Sequence, residues 1–190
     1  FPGMMIMWVF FIAQNALADV YNERARKTLM RLMSSPVTVN HIVLSKFLYS
    51  FALCLLVEFV LILVTALVFG IHWGNPFWLL IAVIAINFAL TGVLAFLYGL
   101  TKSKAAADSL TVIFILFIGF LGGGFFPFEE MPKFFQQIGA WSVNRWAFLG
   151  IQAVMQDKPL GDLITQVYKM LLFGTVTMMA GTMLLKRRFE

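Results

Sequence analysis

Few side chains in this 190-residue sequence can take part in chemistry, and Glu58 is the one whose placement costs most. It stands between Leu55-Leu56-Val57 and Phe59-Val60-Leu61. An ionisable group at membrane depth costs about 2.5 kcal/mol or more, so it marks a polar point on a transport path, a proton site or a paired structural group. Asn87 lies a similar number of residues beyond the Gly70–Pro76 stretch as Glu58 lies before it. If the two flanking segments pack as a hairpin, the two side chains reach one depth and can hydrogen-bond, with Glu58 able to hold a proton. Gln14 and Asn15 form a second polar pair inside an apolar run. They suit either interhelical hydrogen bonds or the lining of a cavity.

Other chemistries find no support. His41 and His72 are isolated near segment ends, without a ligand partner at helical spacing, so no metal site is expected. Cys54 is the only cysteine and sits in an apolar run, which predicts a small core hydrophobe and no disulfide framework. Gly99-Leu100-Thr101-Lys102 does not complete a G-x-x-x-x-G-K-[ST] loop, so no ATP site of that type is expected on this chain. Neither G-x-S-x-G nor H-E-x-x-H occurs, and no second intramembrane carboxylate pairs with Glu58, so an enzyme is not expected.

These side chains must be held by membrane-spanning helices. Hydrophobic residues make up 61% of the chain and charged ones 12%, with a mean hydropathy of +0.89. A soluble domain of this length cannot hide that much apolar surface, so lipid is its solvent. The pattern predicts one all-α membrane domain over 1–190 with five spans, at about 4–20, 42–69, 77–100, 106–121 and 163–185. The second exceeds the roughly 20 residues a bilayer needs, so it tilts or begins at the interface around Ser45 and Lys46. Gly70-Ile71-His72-Trp73-Gly74-Asn75-Pro76 is a tight polar turn, with Trp73 and Trp78 suited to the headgroup layer. Gly122-Gly123-Gly124 ends the fourth span and frees the backbone. In the outer segment, 122–160, Phe134, Phe135, Ile138, Trp141 and Trp146 are expected to dip into the outer leaflet. Glu129, Glu130, Lys133 and Arg145 are expected to stay in water.

The densest charge lies in Tyr21–Lys46. A helix over 23–34 places Leu29, Leu32 and Met33 on one face and Arg24, Lys27 and Arg31 on the other. Pro36 stops it, and Thr38 or Asn40 can cap the next helix. The picture is an amphipathic helix on the membrane surface between two spans. Counting cations sets the orientation. Arg24, Arg26, Lys27, Arg31, Lys46, Lys102, Lys104, Lys186, Arg187 and Arg188 fall on one side, and Lys133, Arg145 and Lys158 on the other. The positive-inside bias then puts residue 1 outside and residue 190 in the cytoplasm. The same distribution explains the net charge of +5 without nucleic acid.

Two motifs in this order carry a resemblance. The first is Glu23-Arg24, Thr28-Leu29, Leu32 and Ser35-Pro36, followed by Lys46 at the foot of an apolar span. The second is Gly122-Gly123-Gly124-Phe125-Phe126-Pro127, then Met131-Pro132, Ile138 and Trp146. Together they resemble the ABC-2 type transporter permease family over nearly the whole chain. Where that family often has a proline before the second aromatic, Ser142-Val143-Asn144 stand here.

The resemblance implies that Glu23, Arg24, Thr28, Leu29, Leu32, Ser35 and Pro36 belong to a coupling helix docked on an ATPase, which would bind the ATP and magnesium. It implies a second permease subunit. The transport path would then run between first and fourth spans, with Gln14, Asn15, Phe114, Phe117 and Ile118 as contacts. Gly122, Gly123, Gly124, Phe125 and Pro127 would form the outer gate or hinge. It also implies a further span before Phe1, so the chain reads as part of a longer subunit of a bacterial cytoplasmic membrane exporter. Two rivals remain at this point: a proton- or ion-coupled carrier using Glu58, and a non-transporting membrane scaffold or sensor partner.

Overall fold

The computed structural model describes the backbone of residues 2–25 and 39–189, and the side chains of these except 16–25, 39, 40, 42, 43 and 186–189. Among the described residues seven α-helices follow one another: α1 (Pro2–Ala25), α2 (Val39–Phe69), α3 (Pro76–Leu100), α4 (Lys104–Leu121), α5 (Lys133–Gly139), α6 (Val143–Met155) and α7 (Leu160–Phe189). A 3-10 turn, Phe128–Glu130, lies between α4 and α5, and no strand occurs among the described residues. Four stretches there are long and apolar enough to cross a membrane: Leu44–Phe69, Pro76–Leu100, Lys104–Leu121 and Leu160–Leu185. They match four of the expected spans, and the fifth falls within α1.

One boundary differs from expectation. A surface helix was expected to open at residue 23, but α1 runs unbroken through Ala25, so Glu23 and Arg24 belong to α1. The reason is local: no glycine or proline stands between Gly3 and Pro36, and Glu, Arg and Ala favour helix. The remainder of that expected helix lies outside the described residues. Asn40, a candidate cap, is already inside α2.

The central helix is α3, which packs against α7, α2, α6, α1 and α4. Its start is well specified. The Asn75 side chain accepts from the Phe77 N–H at 2.9 Å, and Pro76 occupies the first helical position, where its missing N–H costs nothing. Among the described helices, the most extensive packing joins α3 to α7. Gly92 and Gly99 on α3 face Gly174 and Gly181 on α7, the members of each pair standing seven positions apart. That spacing is two helical turns, so each pair stays on one face and lets the main chains approach. A Cβ built on Gly181 would lie 2.5 Å from the backbone of Ala95.

The turn between α2 and α3 is less exposed than its composition suggests. Trp73 is buried, not in the headgroup layer, and its indole N–H donates to Thr65 Oγ1 at 3.1 Å. Gly74, at φ 75°, presses the turn against the Val154 carbonyl of α6, where no side chain fits. A backbone packed that closely carries Trp73 inward with it.

Candidate functional site

The polar residues gather at three depths. At mid-membrane, the turn between α2 and α3 sets the register of a helical hairpin, and that register puts Glu58 beside Asn87. Both are wholly buried. One Asn87 Nδ2 proton goes to Glu58 Oε2. The same nitrogen also donates to the Val83 carbonyl, 3.0 Å away on its own helix. Glu58 Oε1 and Asn87 Oδ1 have no hydrogen-bond partner. Earlier turns of α2 continue the polar stripe toward α1. Cys54 Sγ approaches the Val9 carbonyl at 3.9 Å, and Ser50 Oγ donates to the Ala13 carbonyl at 3.4 Å. Ser50, Cys54 and Glu58 repeat at four-residue intervals, a spacing that puts them on one face.

Toward the other end, three helices meet at polar groups. Tyr98 of α3 donates from its hydroxyl to Asp108 Oδ1 of α4 at 2.7 Å, and the same oxygen lies 3.3 Å from the Gln14 carbonyl of α1. Gln14 Nε2 donates to the Asp108 carbonyl at 3.2 Å. Asp108 is in the second turn of α4, which opens at Lys104, two residues before the expected span. That helix starts early because Ser103 caps it, accepting from the Ala106 N–H at 3.3 Å. Gln14 and Asn15 therefore diverge. Gln14 is buried in this junction, while Asn15 is exposed and its amide turns back to the Phe11 carbonyl at 3.0 Å.

On α4, Phe114 is half-buried with its ring edge-on to Phe10 of α1, centroids 6.5 Å apart. Phe117 is 56% exposed and Ile118 is buried. Phe117 thus joins Ile113, Leu116 and Phe120 on an uncovered apolar face of α4; on α1, Met4 and Trp8 are uncovered as well. Ile118 points into the domain, and its carbonyl accepts from Ser142 Oγ at 3.3 Å.

At the C-terminal end of α4, the three glycines build a compact helix stop. The N–H of Gly124 bonds the Gly119 carbonyl at 2.8 Å and that of Gly123 the Phe120 carbonyl at 3.3 Å, with Gly123 at φ 84°. This is the Schellman arrangement, which needs a left-handed residue at the position Gly123 holds. Gly122 permits a second contact: a Cβ there would lie 2.7 Å from Asn144 Nδ2. Phe125 and Pro127 follow on the exposed side, and Pro127 opens the 3-10 turn.

Two residues expected at the wet or lipid-facing surface are packed inside. The Arg145 side chain is only 12% exposed, with its guanidinium 3.8 Å from the Phe128 ring centroid and 5.5 Å from that of Phe148. It pairs with Glu129 at 3.3 Å. The Glu129 carboxyl is held below its ordinary value, first by a hydrogen bond from its own backbone; burial opposes this, and the Arg145 guanidinium adds to the lowering. Trp146 is buried, donating to the Ala140 carbonyl at 2.8 Å and meeting Phe173 edge-on at 5.8 Å. Phe134 and Trp141 do stand outward, 66% and 80% exposed.

Of the expected coupling residues, Glu23 and Arg24 end α1, while Thr28, Leu29, Leu32, Ser35 and Pro36 lie outside the described residues. No group of three His, Cys, Asp or Glu that could hold a metal ion occurs among the described residues.

The linearmycin resistance permease protein LnrN of Bacillus subtilis (strain 168) is 22% identical to this chain over 180 residues. That alignment covers 94% of the chain and 47% of the relative, so the chain spans about half the length of the curated relative it matches. No solved structure matches it. The sequence profile of the ABC-2 family transporter proteins matches residues 1–184. With at least four apolar helices of membrane-crossing length and a family match across nearly its whole length, the chain is a membrane subunit belonging to the ABC-2 family of transporter permeases.

Proposed function

We propose that this chain is the permease part of an ATP-driven exporter that moves an amphiphilic or hydrophobic cargo, such as a drug, lipid or peptide. The family match over residues 1–184 carries this reading, because it takes in both the basic segment and the outer glycine break. The relative's name, a resistance permease, supports a cargo harmful to the cell. Five spans cross a bacterial cytoplasmic membrane, α1 supplying the first, with residue 1 outside and residue 190 in the cytoplasm.

The work enters through Glu23, Arg24, Thr28, Leu29, Leu32, Ser35 and Pro36. The apolar side of that segment docks in a groove of an ATPase, as helix-in-groove recognition does. ATP and magnesium are bound there, on the partner. The unbroken run of α1 through Ala25 supports a stiff connection from this segment to Gln14 and the α3–α4 junction. Two permease subunits face each other through α1 and α4, with Asn15, Phe114 and Phe117 toward the path. The uncovered apolar face around Trp8 and Phe117 supports that pairing. Gly122, Gly123, Gly124, Phe125 and Pro127 form the outer pivot of a two-state switch.

The test is co-purification with an ATPase subunit, followed by ATP-dependent transport in Leu29→Asp/Leu32→Asp. The double variant is expected to insert normally and to lose transport. Unchanged transport would overturn the docking role.

A further inference from the structure

We infer that Glu58 and Asn87 form a proton-binding site, in which one resident proton joins Glu58 Oε1 to Asn87 Oδ1 and closes a reciprocal acid–amide pair inside the membrane. The inference rests on the packing of α2 against α3 and is independent of cargo and of any ATPase.

The amide orientation is fixed first. Asn87 Nδ2 has two protons, and both have acceptors: the Val83 carbonyl at 3.0 Å and Glu58 Oε2. Turning the amide over would set Oδ1 against the Val83 carbonyl, two acceptors face to face. Asn87 Oδ1 therefore stays an acceptor, and it has no donor. Glu58 Oε1, the other oxygen of the carboxyl that Asn87 Nδ2 meets, has none either. An ionised Glu58 leaves two buried acceptors unmet and a full charge uncompensated, each a cost that membrane depth makes worse.

No described cation offsets that charge. From α2 itself the neighbouring titratable group is Cys54, one turn earlier, which lies against the Val9 carbonyl of α1. From α3 the facing groups are the amide of Asn87 and the carbonyl of Val83. On α7, which touches α2 lightly, Asp162, Tyr168 and Lys169 are exposed. A single proton taken from water by the carboxylate resolves all of this. The new O–H donates to Asn87 Oδ1, the amide N–H donates to the remaining carboxyl oxygen, and the charge is gone. The two helices are then tied by two antiparallel hydrogen bonds between neutral groups.

Infrared difference spectroscopy on the protein in lipid bilayers at neutral pH tests this. Wild type minus Glu58→Gln is expected to show the carbonyl stretch of a protonated carboxylic acid, moving to lower frequency in deuterated buffer. Asn87→Leu is expected to shift that band upward, because the acid loses its partner. Carboxylate bands in place of the acid band would overturn the proposal, and so would an acid band indifferent to Asn87→Leu. Thermal unfolding gives a second measure. The amide of Glu58→Gln can replace the acid O–H in the ring, so its midpoint should equal that of wild type. A large fall in that midpoint would count against the pair.

Discussion

A Cβ built on Gly92 would lie 2.5 Å from the carbonyl oxygen of Gly174, so α3 and α7 meet main chain to main chain. The nearest atom is backbone and cannot yield as the end of a flexible side chain would. Gly92→Val is therefore expected to cost about 1–3 kcal/mol through overpacking, read as a lower unfolding midpoint in detergent. Gly161→Ala is the control: nothing lies within 4 Å of its Cβ position, and its midpoint should hold or rise slightly.

The three-helix junction makes a second prediction. Tyr98→Phe keeps the ring and removes the hydroxyl that reaches Asp108 Oδ1 and the Gln14 carbonyl. A hydrogen bond to a charged partner contributes about 1.5–3 kcal/mol, so a loss in that range is expected by chemical denaturation. Thr175→Val removes only a bond to its own helix at an exposed site and should change little.

Arg145 ties the outer segment together by stacking as much as by charge. Arg145→Lys keeps the charge but loses the flat contact on Phe128, at a cost of about 1 kcal/mol. Hydrogen exchange across 125–148 would report it as faster local opening.

The same cluster has an acid limit. Because the folded Glu129 carboxyl lies below its ordinary 4.5, its contribution is complete above that value. It fades as pH falls from there through the lower folded value. Tryptophan fluorescence of the outer segment should stay constant from neutrality down to about 4.5 and change below it. Glu129→Gln should flatten this acid limb.

The proposed pairing of subunits through α1 and α4 is testable by cross-linking. In a Cys54→Ala background, Phe117→Cys should cross-link to a neighbouring permease subunit. Met179→Cys, equally uncovered but on α7, should not. Equal yields at both positions would argue against an α1–α4 interface.

The depth of Glu58 and Asn87 was legible because a glycine- and proline-rich turn fixes where the hairpin reverses, and counting from it gives register directly. The Tyr98–Asp108–Gln14 junction was not, since Gln14 and Asp108 lie 94 residues apart and an apolar helix does not announce which face it turns inward. Arg145 and Trp73 were assigned by chemical character to water and to headgroups. Tertiary contacts decided otherwise: aromatic rings on both sides of one, and a threonine hydroxyl for the other. The expected opening of a surface helix at residue 23 was not met because helix propensity carried α1 through Ala25.

The glycine-to-glycine seam has one more consequence. Two main chains in contact from Gly92 to Gly99 form a wall with no slit in it, and a solute cannot slip between them without prising the bundle apart. On the reading proposed above, the path lies away from this wall, and substitutions along it are expected to change whether the domain stands rather than what passes it.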